Sequence, residues 1–416
     1  MRRALVSAAF AAIGFAAPAN AVDQQAFEQV ERGRYLTIMG DCVACHTAPG
    51  GKPYAGGLTI ATPFGNLLSP NITPDVATGI GAFSDDQFVN AVQNGIGSKG
   101  QRLYPALPYP YYHKMPRADL LAIRAYLNTL DPVSNAVEPN QLPFPFNIRM
   151  SLLFWNLLNF DRTPLVDDPN QSPQWNRGRY IVEGPGHCGA CHTPKTWLGG
   201  DNTSQALKGG VLQGWFAPDI TGQARKGIGD WSEDELVAYL KTGVIARSSA
   251  SGPMAEVVVN STSKLSDADL RAVAIYLKSL TPASAPAPAA LAASDPHMVA
   301  GKAIYKDSCA ACHREDGEGI DNLFPRLRGS SVVQQDDPTT LIRVILEGTR
   351  AAATSERPTG AAMPSFAWRF SDDQVADLIT YIRNGWGNGA SSVSASAVKD
   401  IRGADRPNPA KTGQAP

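Results

Sequence analysis

At 416 residues, with 37 Lys and Arg against 38 Asp and Glu and a formal net charge of -1, the chain is too long for one small domain and carries no global positive field. Length favours about two to four domains, and the near-neutral balance excludes nucleic acid as an electrostatically recruited partner. Beyond the N-terminal segment no run approaches the ~20 apolar residues that a membrane-spanning helix needs.

In chain order, residues 1–21 (MRRALVSAAFAAIGFAAPANA) join two arginines, an apolar run and a small-residue ending, the pattern of a secretory signal cleaved after Ala21. A first domain is expected over 22–133. It opens on RGRYLTIMGDCVACHT and closes on MPRADLLAIRAYLNTL, whose apolar residues recur at helical spacing. A linker over 134–172 carries the apolar stretch RMSLLFWNLLNF at 149–160. This stretch reads as a linker that packs on a neighbouring domain, with Met150 as a packing residue. A membrane-interfacial helix is the alternative.

The second domain, 173–281, repeats the first. RGRYIVEGPGHCGACHT answers RGRYLTIMGDCVACHT, and APDITGQARKGIGDWSEDELVAYLKTGV answers SPNITPDVATGIGAFSDDQFVNAVQNGI. A Pro/Ala linker follows at 282–295, extended and semi-rigid. The third domain, 296–388, keeps GKAIYKDSCAACH but has no counterpart of the Ile-Thr segment. Ser266 and Ser371 are the expected N-caps of the second and third closing helices. The tail 389–416 is polar and expected to be disordered. The predicted fold is all-α, with three tandem domains joined through long Gly- and Pro-rich loops.

The chemistry lies in the cysteines. All six fall in C-x-x-C pairs, and a histidine follows each pair at once: Cys42, Cys45, His46; Cys188, Cys191, His192; Cys309, Cys312, His313. A dithiol redox centre has no use for that histidine, and a closed zinc site wants four ligands, usually from two spaced pairs. The pattern is that of covalent c-type haem: two thiols three apart on one helical turn add to the porphyrin vinyls, and the next residue ligates iron. Three covalently bound haem c groups in class I-like cytochrome c domains are therefore expected.

The second axial ligand decides whether an iron binds substrate or only passes electrons, and a methionine there raises the potential. Only Met115, Met254 and Met363 lie between a haem motif and the following closing helix. These are the expected sixth ligands, with His113 as the rival to Met115. His187 reads as a surface or haem-edge residue, and His297 and Met298 as a solvated helix start. Tyr35, Tyr180, Trp215 and Trp231 are candidates to touch the ring or its propionates, against the plainer reading as core aromatics. One protein sulfur per iron favours electron transfer. The alternative is a self-contained multihaem enzyme, such as a peroxidase or a thiosulfate-oxidising cytochrome.

With these motifs, the ordered segments GGKPYAGGL, TPFGNLLSPNITPD, TGIG, LYPALPYP and PFPFNIR resemble the triple-haem cytochrome c subunit of membrane-bound bacterial dehydrogenases. The resemblance implies an electron-transfer subunit that is not itself an enzyme. It further implies a catalytic dehydrogenase partner of molybdopterin, FAD or PQQ type, a small third subunit as a further partner, and ubiquinone or a terminal oxidase as acceptor. The implied place is the membrane surface on the periplasmic side. Leu107 stands where many flavin- and quinoprotein-linked relatives carry methionine, which points towards the molybdenum-linked branch.

Overall fold

The computed structural model describes residues 19–280 and 287–403. Most of the expected signal sequence, the start of the Pro/Ala linker and the end of the tail lie outside the described residues. Each unit is organised by one helix crossing: Ala19–Met39 over Arg117–Leu127, Pro173–Glu183 over Asp267–Ser279, and Pro296–Ser308 over Asp372–Asn384. A glycine marks each crossing. A Cβ on Gly33 would overlap the carbonyl oxygen of Ala122, one on Gly178 that of Ala272, and one on Gly301 that of Asp377. Backbones approach this closely only where no side chain intervenes.

Sequence sets the helix starts. Ser266 and Ser371 cap the second and third closing helices as expected, and Ser84, Ser232 and Ser371 form full capping boxes with Gln87, Glu235 and Gln374. Short antiparallel ladders interrupt the otherwise helical fold. Thr59–Thr62 pairs with Gly65–Leu68, and the duplicate ladder joins Lys208–Leu212 to Trp215–Asp219.

The duplicated units share one hydrophobic core that includes Leu36, Leu120, Ile181, Leu270 and Leu277. The third unit builds its own around Tyr305, Ile342 and Ile379. Burying each such side chain contributes roughly 1.5–3 kcal/mol. Unit three docks on unit two, where Thr340 Oγ1 donates to the Phe216 carbonyl at 2.7 Å and Arg326 N–H to the Ala246 carbonyl at 3.0 Å.

Two tyrosines considered for haem contact lock the duplicates together through their hydroxyls. Tyr35 donates to Asp269 at 2.8 Å and Tyr180 donates to Asp119, so each reaches from one unit's first helix to the other unit's closing helix. The same carboxylates accept from their own units, Asp119 from Arg32 at 2.7 Å and Asp269 from Arg177 at 2.8 Å. Both acids are buried. Burial alone would raise the Asp269 carboxyl, but bonds from Arg177 and Tyr35 and the Arg177 charge bring it below its ordinary value of 3.8. Ion-pair stabilisation here is thus present above that value and is lost as pH falls through the lowered one. Replacing Asp269 by alanine leaves a guanidinium and a phenol without their acceptor. A stability loss of about 2–4 kcal/mol is expected at neutral pH, shrinking in denaturant titrations as pH falls below the carboxyl's ordinary value and through its lowered one.

Other expectations are revised. The apolar linker forms the helix Leu152–Asn159, but only one side packs: Leu152 and Asn156 are buried, while Met150 is exposed. Met298 is buried in the third core rather than solvated, since the first turn of its helix, Pro296–Ser308, already packs into that core. His297 is solvent-exposed and pairs with Asp377 at 2.7 Å. The described part of the tail, residues 389–403, is ordered. Its helix Ala395–Gly403 buries Val398 and anchors Arg402 to Asp372 at 2.6 Å and to the carbonyls of Ala367 and Phe370. Its polar composition hid the apolar residues Val393, Val398 and Ile401, which pack on the third unit.

Candidate haem sites

Each C-x-x-C-H motif follows its unit's first helix and folds as a separate helical turn. The backbone N–H of His46, His192 and His313 donates to the carbonyl of Cys42, Cys188 and Cys309 at 3.0, 3.0 and 2.9 Å. Both cysteines and the histidine of each motif are therefore held on one short turn. All six thiols are free. Burial pushes the thiols of Cys42 and Cys188 up to about 12 and that of Cys309 up to about 11. A dithiol redox centre requires the opposite shift, towards thiolate. Among the described residues, no three His, Cys, Asp or Glu side chains gather as a metal-holding group, so a zinc site has no ligand set.

The imidazoles carry the decisive geometry. Nδ1 of His46 lies 2.7 Å from the Pro70 carbonyl, Nδ1 of His192 2.7 Å from the Pro218 carbonyl, and Nδ1 of His313 3.0 Å from the Pro325 carbonyl. A carbonyl can only accept, so Nδ1 carries the proton and Nε2 keeps its lone pair for a metal. Burial lowers the pKa of all three rings against the raising effect of those carbonyls, which keeps the imidazoles neutral at pH 7. Tethered ligands of this kind are fixed in tautomer and orientation by the second bond.

The duplicated Ile-Thr segments supply two of those carbonyls. Asn71 Oδ1 accepts from Thr73 N–H at 2.9 Å and Thr73 Oγ1 at 2.7 Å, and Asp219 Oδ1 accepts from the same two groups of Thr221, each at 2.7 Å. These side-chain turns fix the residue directly after each proline carbonyl. The third unit lacks the segment and reaches the same result with Pro325 of FPRL. Sequence reasoning missed the three prolines as functional residues. Their signal was the proline shared by SPNIT and APDIT, though the proline of FPRL shares no flanking sequence with them.

The sulfurs expected as sixth ligands sit in three settings. Met115 is 2% exposed in the shared core, and its carbonyl accepts from Gln93 at 2.6 Å. Its rival His113 is committed elsewhere: Nε2 lies 2.9 Å from the Arg162 carbonyl and the ring meets Phe160 edge-on. Met254 lies in the first turn of the helix Pro253–Asn260. Met363 pairs with Thr349 in a two-residue ladder and packs partly buried on the third core. Trp231 is a core residue. Trp215 is half-buried, and the Arg343 guanidinium lies 5.5 Å from its ring centroid.

Units one and two meet at their motifs. The helix Pro253–Asn260 packs on Cys42–Cys45. Consecutive tyrosines of unit one both reach the second motif, Tyr111 donating to Asp201 beside Gly189 and Tyr112 meeting His187 edge-on at 5.7 Å. His187 is thus an inter-unit residue, its Nε2 3.3 Å from the Gly40 carbonyl, and not a surface one. Burial first, and then the charge of Glu256, push the Asp41 carboxyl beside the first motif up to about 8, against the opposing charge of Lys264.

The cytochrome c family model matches this chain three times, over residues 30–131, 176–281 and 298–386. The chain belongs to the cytochrome c family. Among curated relatives, the gluconate 2-dehydrogenase cytochrome c subunit of Pantoea cypripedii is 40% identical over 97% of this chain and 95% of its own length. The cytochrome c subunit of the quinone-dependent alcohol dehydrogenase of Gluconobacter oxydans is 39% identical over 90% of this chain and 82% of its own. The fructose dehydrogenase cytochrome subunit of Gluconobacter japonicus is 39% identical over 90% of this cytochrome and 82% of its own length. The chain is an electron-transfer cytochrome with three haem c groups, not a catalyst of its own. Bound haem iron supplies one-electron redox chemistry. The protein's share is to hold, orient and cover it.

Proposed function

We propose that this cytochrome is the electron-transfer subunit of an exported dehydrogenase complex. In this reading a catalytic subunit with a molybdopterin, FAD or PQQ cofactor delivers electrons. Ubiquinone or a terminal oxidase accepts them at the periplasmic face of the membrane, and the N-terminal 21 residues are the export signal. The pairing of His46, His192 and His313 with proline carbonyls supports it above all. Three identically prepared nitrogens suit three irons held in one coordination type. Met115, Met254 and Met363 would supply each iron's second protein ligand, and the relatives named as dehydrogenase subunits support the partner class.

Two protein ligands per iron leave no position for an exogenous one. Reduced protein exposed to carbon monoxide is therefore expected to keep its absorption spectrum. A carbon monoxide adduct on the unmodified reduced protein, or peroxide turnover by the isolated chain, would return the assignment to a self-contained haem enzyme.

A further inference from the structure

No helix among the described residues is long and apolar enough to cross a membrane. The linker nevertheless presents an apolar face of an unusual kind. Phe144, Phe154, Leu157 and Leu158 are each more than two-thirds exposed, as is Trp197, at 86%. These positions form one surface. Trp155 Nε1 donates to the Leu198 carbonyl at 2.9 Å, tying the helix Leu152–Asn159 to the turn that carries Trp197. Phe146 packs against Phe64 at 5.0 Å, and Phe64 lies against Gly199 of that turn. The opposite side of the helix is clamped to unit one, where Tyr109 donates to Asn156 at 2.6 Å and Phe160 lies edge-on to Tyr109. Exposure here belongs to a fixed helix.

The chemistry of this face selects its occupant. A protein interface of stable size offers about one hydrogen bond per 100–200 Å². Here the polar side chains of the helix bond inward: Ser151 Oγ to the Ile148 carbonyl, Trp155 Nε1 to Leu198, Asn156 to Tyr109, and Asn159 Nδ2 to the Trp155 carbonyl. Between Glu138 and Asp161 the only charged residue is Arg149, and Arg162 follows at the other end. The Arg149 guanidinium lies over the Tyr104 ring at 4.7 Å and that of Arg162 over Phe160 at 4.8 Å. An uncharged aliphatic and aromatic face with a cation at each end matches a phospholipid surface, with acyl chains below and anionic headgroups at the rim.

We infer that the face formed by Phe144, Phe154, Leu157, Leu158 and Trp197 inserts shallowly into a phospholipid bilayer, with Arg149 and Arg162 at the level of the headgroup phosphates. This rests on the membrane placement proposed above and names the residues that accomplish it. The peptide lies in the interface without crossing it, and units one and two, both of which hold the helix, sit nearest the lipid.

The test is flotation of the full haem-loaded protein with vesicles of phosphatidylethanolamine and phosphatidylglycerol. The unmodified protein is expected to float with the vesicles. A triple variant, Phe154→Asp, Leu157→Asp and Leu158→Asp, should lose at least about tenfold in the bound fraction, with haem content and melting unchanged because all three side chains already face solvent. Wild-type protein that stays in solution, or a variant that floats equally, overturns the inference. So does unchanged vesicle binding with a lost dimer, which would assign the face to a second copy, or with a lost catalytic subunit, which would assign it to that partner. Carbon monoxide exposure of the same samples reports separately on the electron-transfer reading.

Discussion

Replacing Gly178 by alanine is expected to destabilise the paired first and second units by about 3 kcal/mol or more, because overpacked backbone contacts relax poorly. In a fused block of some two hundred residues this lowers the melting temperature by roughly 6–12 °C. The sign is diagnostic. In an isolated helix, exchanging interior glycine for alanine stabilises by about 1 kcal/mol. Here the new methyl overlaps the Ala272 carbonyl and also lies 2.9 Å from Cβ of Tyr276, so Pro173–Glu183 and Asp267–Ser279 must separate. Calorimetry on the haem-loaded protein reads the outcome, and a raised melting temperature would show that the helices are not in backbone contact. Gly33→Ala should act on the same transition, since Gly33 and Gly178 border one core, whereas Gly301→Ala should act on the third unit's own core.

The pattern of what was legible in the sequence follows from the range of the forces involved. C-x-x-C-H is a local constraint, satisfied within one helical turn, so its three copies could be read directly. The closing helices were legible because their apolar spacing and their serine caps are local too. Long-range partners were not. Nothing adjacent to Tyr35 or Tyr180 says that its hydroxyl crosses to Asp269 or Asp119, although the duplication of RGRY in both units marked the positions as equivalent. His187 looked superficial beside Cys188, yet a neighbouring unit's Gly40 and Tyr112 enclose it. The proline carbonyls escaped notice because their contribution is a backbone oxygen, which side-chain identity does not announce. The tail helix was missed for the opposite reason: a polar composition says little when one buried valine and one arginine with three acceptors do the docking.

Replacing Met363 by leucine is expected to open one iron of the three to carbon monoxide and to lower that haem's potential by on the order of 0.1 V, a modest part of the roughly 0.8 V that axial ligation commands. The surrounding chain keeps the position well defined. Ser365 Oγ donates to the Leu346 carbonyl at 2.5 Å, Phe366 N–H donates to the Ile345 carbonyl at 2.9 Å, and Pro364 joins them to Met363. The chain directly after Met363 is thus pinned to the end of the helix Thr339–Glu347, and Met363 itself is held in the ladder with Thr349. Leucine is close in volume and keeps the packing, so a spectral change would report the lost sulfur and not a collapsed loop. Potentiometric titration should then show one couple displaced and two in place, with haem content still three. If all three couples stay where they were and carbon monoxide remains excluded, Met363 is not a ligand, and the third iron takes its second protein atom from elsewhere in the loop.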